Sequence, residues 1–595
     1  MPHRRPLAIV LVASIVSLAI GIVATPFWDE DEPRFAAIAR AMVDTGDWVV
    51  PMFNDELAVD KPVLMHWAMA LAFTLFGTSE IAARLPAALA TLFTALALLR
   101  AGTRWFDPTT GVVAALAYVG CLLVGIESHA ATPDAILTAL VTWATVLCAE
   151  PLLTAGGAAA PATGAALPRL TALRAATVGG LLGLAVLCKG PIGFVGPLAV
   201  VVPWTWWVAV ERRLATGNVG RKPGADAPRA FLGRLLPAAF PAAWDAARIL
   251  RPGILTAAML AVAGPWYLAV SLRTDGAWIN GFFFIHNVGR FVAPMEQHSG
   301  GLLFHPLTML VGFYPWSCFL PLALVVSAWR IWQRTDAPVR RQSLALAVFW
   351  MAVWVGGFSV SATKLPNYVL PAYPAAALVV AAAGVCAAQR AWSHPRWMTA
   401  GVVWVALGGI ITAAAVLVAT RFGLTGAEPA ALVGLVPIIG AACLWHWRRE
   451  PLRAIAALAV TGLAFTGLAV GPAAAWISSA NQLPGLVEAA HRHAGGHARL
   501  GTFTQITPNV VYYAHGHVQS WQRTDTAAAL EFLASGADAV LLVRDDDFDA
   551  LSAGLPDGVG IIGRSRPLFH AREFLLVGTA SRTADRTASL GSKTQ

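Results

Sequence analysis

Thirteen apolar runs, each long enough to cross about 30 Å of hydrocarbon as a helix, follow one another along this chain and leave it few folds. They lie near residues 7–27, 82–100, 111–127, 134–150, 174–190, 191–209, 253–272, 306–328, 343–361, 366–387, 398–419, 429–447 and 453–476. Hydrophobic residues make up 57% of the 595 positions and charged residues only 13%. A soluble core has no room for so much apolar surface, so the chain reads as a polytopic α-helical membrane protein with about 13 transmembrane helices. One further run, 63–77, begins after Lys61-Pro62 and carries His66. It is too short to span and is expected to lie at the surface or dip into it. Residues 7–27 follow a basic start, as a signal peptide would, but no small-residue cleavage pattern comes after them, so the first helix is expected to be retained.

Lys and Arg fix the orientation. They concentrate at the N-terminus and in the loops near 100–110, 151–173, 210–252, 329–342, 388–397 and 448–453, and are sparse in the alternate loops. The positive-inside rule therefore puts the N-terminus in the cytoplasm and residues 28–81 and 273–305 outside. That topology also accounts for the net charge of +9, which in a soluble chain would point to nucleic acid; no nucleic-acid partner is expected. The six cysteines sit in or beside apolar runs with no CxxC pair, and read as small core residues. After residue 478 short β-type runs (ARLGTFT, ADAVLLV, EFLLVGTA) alternate with helical stretches, so 479–580 is expected to be a small α/β domain outside the membrane, with 581–595 a disordered tail. Residues 155–168 and 215–230 are low-complexity cytoplasmic loops.

The outer face carries the candidate chemistry. Asp29, Glu30, Asp31 and Glu32 follow the first span directly, where clustered carboxylates are costly unless they bind a cation or do chemistry. Other polar residues at outer span ends are Asp60 and Lys61, Asp134, Lys189, His286 and Arg290, His305, and Lys364 with Tyr368. Ammonium and guanidinium groups suit phosphate oxygens; carboxylates suit a divalent ion or the positive charge that develops on a sugar ring. Acids and bases on one rim fit a phosphate-linked substrate. Plainer roles stand beside these: Asp31, Glu32 and Asp134 as helix-capping residues, Lys189 and Lys364 as snorkelling side chains, and the aromatics of 276–284 and 313–316 as an interfacial belt.

The order of these motifs resembles the bacterial lipid A aminoarabinose transferases and the wider GT-C glycosyltransferases, which include protein O-mannosyltransferases. The resemblance rests on Asp31-Glu32-Pro33-Arg34-Phe35, Gly46-Asp47-Trp48, Asp60-Lys61-Pro62, Phe76-Gly77, Ala83-Arg84-Leu85-Pro86, Thr132-Pro133-Asp134, Lys189-Gly190-Pro191, Pro265-Trp266-Tyr267, Phe283 through Arg290, Phe313-Tyr314-Pro315-Trp316 and Lys364-Leu365-Pro366-Asn367-Tyr368. It implies a GT-C enzyme of the bacterial inner membrane that moves a sugar from a polyprenyl-phosphate donor to a periplasmic acceptor such as lipid A, by inverting displacement. It implies catalytic roles for Asp31, Glu32 and Asp134, and substrate binding by Arg34, Lys61, Arg84, Lys189, Arg290, Lys364 and Tyr368. It also implies a divalent metal ion (Zn, Mg or Mn) at Asp60 and His286; the family usually has Glu where this chain has Asp60. The alternatives are a protein O-mannosyltransferase-like enzyme and a transporter or flippase of the lipid-linked sugar. Charges gathered at one face favour the enzyme over a transporter's mid-membrane sites.

Overall fold

The computed structural model describes Arg4 to Thr579 except residues 23–24, 29, 155–166, 217–227, 290–299, 335, 391–394, 423, 425, 480–482, 497, 505–506 and 567–571. The tail 581–595 and most of the two low-complexity loops lie outside the described residues, as do Asp29 and Arg290. The first eleven helices are α1 (Arg4–Gly21), α2 (Asp31–Thr45), α3 (Leu64–Phe76), α4 (Glu80–Trp105), α5 (Pro108–Val119), α6 (Leu122–Ser128), α7 (Asp134–Leu153), α8 (Ala172–Lys189), α9 (Ile192–Thr216), α10 (Pro228–Leu250) and α11 (Pro252–Arg273). Beyond them, long helices cover Pro338–Val360, Tyr373–Gln389, Pro395–Arg421 and Pro451–Leu468, and a shorter one Leu435–His446.

Among the described residues ten helices are long and apolar enough to cross a membrane, and α5 with α6 makes an eleventh if that pair, bent by 66°, is one span. Three of the thirteen expected runs form shorter or broken helices in place of one long one. The run 7–27 forms a shorter helix ending at Gly21, where the His129 ring packs and its Nε2 lies 3.0 Å from the Leu18 carbonyl oxygen. The run 111–127 breaks at Gly120-Cys121, where Cys121 is extended. The run 306–328 divides into a helix Phe304–Gly312, a 3₁₀ turn Trp316–Phe319 and a helix Leu320–Gln333; Pro315, with no N–H to give, lies at the break. The short run does form a short helix, α3, of 13 residues. Helix α10 was not announced by the composition of its loop; Trp206 of α9 donates to its Ala239 carbonyl at 2.9 Å.

At the end of the bundle assigned to the cytoplasm, Glu150 of α7 receives Arg100 and Arg104 of α4 and Arg174 of α8. Three arginines on one carboxylate that is only 2% exposed tie three helix ends together, so part of the basic excess read from the sequence is internal ionic structure.

The outer part contains a five-stranded sheet in the order β4-β3-β5-β7-β6, with β3 Arg499–Phe503, β4 Gln519–Trp521, β5 Ala539–Arg544, β6 Val559–Ser565 and β7 Phe574–Thr579. Strands β4, β3 and β5 are parallel, and β7 and β6 join antiparallel. The continuous apolar run of β5 is what a strand covered on both faces requires. A hairpin of β1 (Met52–Phe53) and β2 (Glu56–Leu57) lies in the first outer loop.

Helix α2 is held from above by the helix Pro508–Ala514. Arg40 Nη1 donates to the Tyr512 carbonyl at 2.7 Å, and Nη2 to that of Val511 at 3.3 Å. The Tyr513 hydroxyl donates to Glu80 at 2.8 Å and accepts from the Phe27 amide at 3.2 Å. Asn54 exchanges two hydrogen bonds with the Val518 backbone at 2.9 and 2.8 Å. Phe35, Met65 and Phe73 share one buried apolar cluster with Leu486, Val510 and Leu542, so the sheet region and the first outer loop pack as a single body.

Candidate active site

Local backbone chemistry aims the site. Helix α2 ends at Gly46, whose φ of 72° suits a residue without a side chain. The next residue, Asp47, accepts from the amides of Val49 and Val50 at 3.0 and 3.3 Å and from Arg273 at 2.7 Å. The Trp48 carbonyl accepts from Trp67 at 2.7 Å, so Gly46-Asp47-Trp48 is a turn motif that returns the chain toward Asp60. Helix α8 ends at Gly190 with φ +70°, and a Cβ there would lie 2.4 Å from Phe282. Only glycine makes this turn, which leaves Lys189 at the helix end facing Asp134.

Lys189 Nζ donates to Asp134 Oδ1 at 2.5 Å. Asn367 donates to the other carboxylate oxygen at 3.2 Å, and the Tyr368 ring lies 4.9 Å from the ammonium. Asp134 is the first residue of α7, so its carboxylate also suits the helix N-terminus. Asp60, Lys61, Lys189, His286 and Tyr368 line one cavity of about 180 Å³, with Phe282, Trp354, Phe358 and Ser361 among its walls. Arg34 reaches Asp60 at 3.5 Å and stacks 5.1 Å from Phe53.

Asp31 stands in the first turn of α2, open to solvent on one side and surrounded by protein on the others. Burial raises its pKa above the usual carboxylate value, Lys61 and Lys189 oppose that, and Asp60 and Asp134 add to it. These four groups act on Asp31 together, so it stands within electrostatic reach of the cavity without lining it. Asp60 goes the other way: burial raises it, but the charges of Lys61 and Arg34 outweigh burial and hold it low. Burial lowers His66 to about 4 despite Asp60, so this imidazole, 1% exposed, is neutral at neutral pH.

Three residues expected at the site do other work. Glu32, adjacent to Asp31, turns inward: its carboxylate receives Arg84 Nε at 2.8 Å and Nη2 at 2.9 Å, and the Ala131 amide at 2.8 Å. Arg84 Nη1 also donates to Thr25 through both its carbonyl and hydroxyl. With 5% and 7% exposure, the pair joins α2 to α4 and to the segment before α7, and neither residue lines the cavity. Lys364 is 4% exposed and donates to the carbonyls of Phe358 and Ser359 at 3.2 and 2.6 Å. It thus satisfies the free C-terminal carbonyls of the helix Pro338–Val360 and holds the Asn367-Tyr368 segment in place. Trp278 and Phe282 are corrected from an interfacial belt to core: both are buried, and Trp278 donates to the Ala58 carbonyl at 2.8 Å. Phe284, 67% exposed, keeps the belt role.

Sequence reasoning missed Asn367 and Glu127. Asn367 lay inside a quoted motif but carries no charge. Glu127 of α6 accepts from Thr132 at 2.9 Å and acts electrostatically on Lys189; its signal was an acid at the end of an apolar run.

Residues 60–217 match the family model described as dolichyl-phosphate-mannose-protein mannosyltransferase. The undecaprenyl phosphate-alpha-4-amino-4-deoxy-L-arabinose arabinosyl transferase of Pseudomonas aeruginosa is 30% identical over 462 residues, covering 77% of this chain and 74% of the relative. The protein of the same name from Erwinia tasmaniensis is 28% identical over 468 residues, covering 75% and 72%. The crystal structure of ArnT from Cupriavidus metallidurans bound to undecaprenyl phosphate aligns with a TM-score of 0.69 at 21% identity, over 96% of this chain and 97% of that one, and so has the same fold. These likenesses define an integral-membrane glycosyltransferase of the GT-C type. Within that class, the chain belongs to the undecaprenyl phosphate-aminoarabinose arabinosyl transferase family.

Proposed function

We infer that this protein transfers 4-amino-4-deoxy-L-arabinose from undecaprenyl phosphate to lipid A, in the bacterial inner membrane with its cavity facing the periplasm. The observation that carries the reading is the opposition of charge at one cavity: Lys61, Lys189 and Asp60 on its wall, Asp134 bound to Lys189, and Asp31 within electrostatic reach of all four. The cations suit the donor phosphate. The carboxylates suit a sugar that bears an amine and whose ring gains positive charge as the bond to phosphate breaks.

In the proposed step the bond between the anomeric carbon and the donor phosphate oxygen breaks as the acceptor oxygen bonds from the opposite side. Undecaprenyl phosphate leaves with the electron pair, its charge met by Lys61 and Lys189. A phosphate acceptor on lipid A is already a nucleophile, and Asp31 then stabilises the sugar's positive charge. A hydroxyl acceptor would need Asp31 as base. Both roles require Asp31 ionised. Lys189, held by Asp134 and over Tyr368, is fixed in place before substrate arrives, so little reorganisation is needed in the reaction.

We propose that Asp60 and His286, both on the cavity wall, hold a divalent ion together with donor phosphate oxygens. Among the described residues no group of three or more His, Cys, Asp or Glu could hold an ion alone, so water or donor phosphate oxygens would have to complete its ligands. Such an ion would supply charge neutralisation of the phosphate. Metal analysis of purified protein with and without undecaprenyl phosphate checks it: donor-dependent retention of about one ion is expected, and retention unchanged in Asp60→Asn would refute the site.

Mass spectrometry of lipid A and glycoproteins from host cells lacking the protein, complemented with wild type or Asp31→Asn, tests the function. Loss of an aminoarabinose increment from lipid A, restored only by wild type, is expected. A change confined to glycoproteins would replace this reading with protein glycosylation.

A further inference from the structure

A second cavity, about 470 Å³, opens at the other end of the bundle. The helix Tyr373–Gln389 links the two sites: Tyr368, just before it, lines the catalytic cavity, and Gly384 and Ala387 in its last turns line the second. Nineteen residues separate Tyr368 from Ala387, about 28 Å at 1.5 Å per residue, so the second cavity lies in the cytoplasmic leaflet. Its walls are aliphatic and aromatic, and Arg448 and Arg449 belong to its lining. Arg448 is fixed in advance: Nη1 donates to the Trp445 carbonyl at 2.7 Å and the guanidinium stacks 4.2 Å from the Trp445 ring. An arginine has five N–H donors, so this one keeps others for an anion; Arg449 is exposed.

We propose that this cavity is a binding site for an anionic phospholipid of the inner leaflet, with an acyl chain between the helices and the phosphate on Arg448 and Arg449. An acyl chain gains no hydrophobic free energy by leaving the bilayer for an apolar pocket, so the walls alone would accept any lipid. Charge complementarity does the selecting. A membrane-proximal arginine favours an anionic lipid by about fivefold, and two by about 30-fold.

The test is native mass spectrometry of the full-length protein released from nanodiscs of equal phosphatidylglycerol and phosphatidylethanolamine. Wild type is expected to retain one phosphatidylglycerol with a preference of about 30-fold. Arg448→Ala/Arg449→Ala is expected to retain both lipids without preference. Gly384→Phe, where a new Cβ would first meet Ile455 at an ordinary 3.6 Å, narrows the cavity and is expected to retain less of either lipid than wild type. No preference in wild type, a preference that survives the arginine replacements, undiminished lipid retention by Gly384→Phe, or displacement of the lipid by added undecaprenyl phosphate would each overturn the proposal.

Discussion

Asp31 and Glu32 are neighbours in sequence and opposites in the structure, so neutralising each makes a paired test. In Glu32→Gln the carboxylate that receives two Arg84 donors and the Ala131 amide becomes an uncharged amide, and Arg84 is left buried without its counter-charge. Breaking a buried ion pair from one side costs about 3–5 kcal/mol; at 1.36 kcal/mol per tenfold the unfolded population rises by roughly two to nearly four powers of ten. Asp31→Asn works in the other direction. The fold holds the Asp31 carboxylate against burial and against Asp60 and Asp134, so a neutral isostere relieves the site, while turnover falls by about 10²–10⁴ for loss of a catalytic carboxylate. The assay measures both quantities on the same preparations: the fraction remaining monodisperse in detergent after a temperature series, and lipid A product by mass spectrometry below the wild-type midpoint. Glu32→Gln is expected to melt early and to turn over near normally when cold; Asp31→Asn is expected to melt no earlier than wild type and to be inactive. A Glu32→Gln protein of wild-type thermal stability but no activity would refute the assignment of Glu32 to structure.

Because Asp31 must be ionised and its pKa is raised by burial, Asp60 and Asp134 against the pull of Lys61 and Lys189, activity should begin to fail on acidification above the ordinary carboxylate value of about 3.9; a pH–rate profile that stays flat down to that value would contradict this. Asp60, whose pKa is lowered, contributes stability that is fully present above its unfolded value of about 3.9 and is lost as pH falls through the lower folded one, so Asp60→Asn should reduce thermal stability at pH 7 and by progressively less as pH falls below that value. Tyr368→Leu removes a ring 4.9 Å from Lys189 and should raise the donor KM by a factor of about 2–30, the worth of a cation–π contact of about 0.5–2 kcal/mol, whereas Tyr368→Phe should stay near wild type; equal effects would show that the hydroxyl matters and the ring does not. Gly190→Ala meets Phe282 at 2.4 Å with φ +70° and should lower kcat by moving Lys189, measured beside unchanged membrane insertion.

How much was legible in the sequence follows from the range of each constraint. Spanning helices need long apolar runs, a local property, and so they could be read; the break at Pro315 could not, because the run on either side of it remains apolar. Lys189 and Lys364 gave the same signal, a lysine at a helix end before a proline. Their separate roles depend on partners distant in sequence for one, Asp134 at 55 residues, and close by for the other, Phe358 and Ser359 on the preceding helix. Glu32 was grouped with Asp31 because clustering marks a charged site without saying which way each side chain turns. On a helix adjacent residues point about 100° apart, and Arg84, 52 residues on, decides the matter for Glu32.

The clasp between the helix Pro508–Ala514 and α2 also sets an order of events in making the protein. Its hydrogen bonds join residues 433 to 486 positions apart, so α2 leaves the ribosome hundreds of residues before the helix that seats it. Every span is already in the membrane when Tyr513 can first reach Glu80 and Phe27. A nascent chain therefore carries α2 for most of its synthesis without the helix that receives Arg40, and the packing of the first outer loop against the sheet region is completed only after the spans are made.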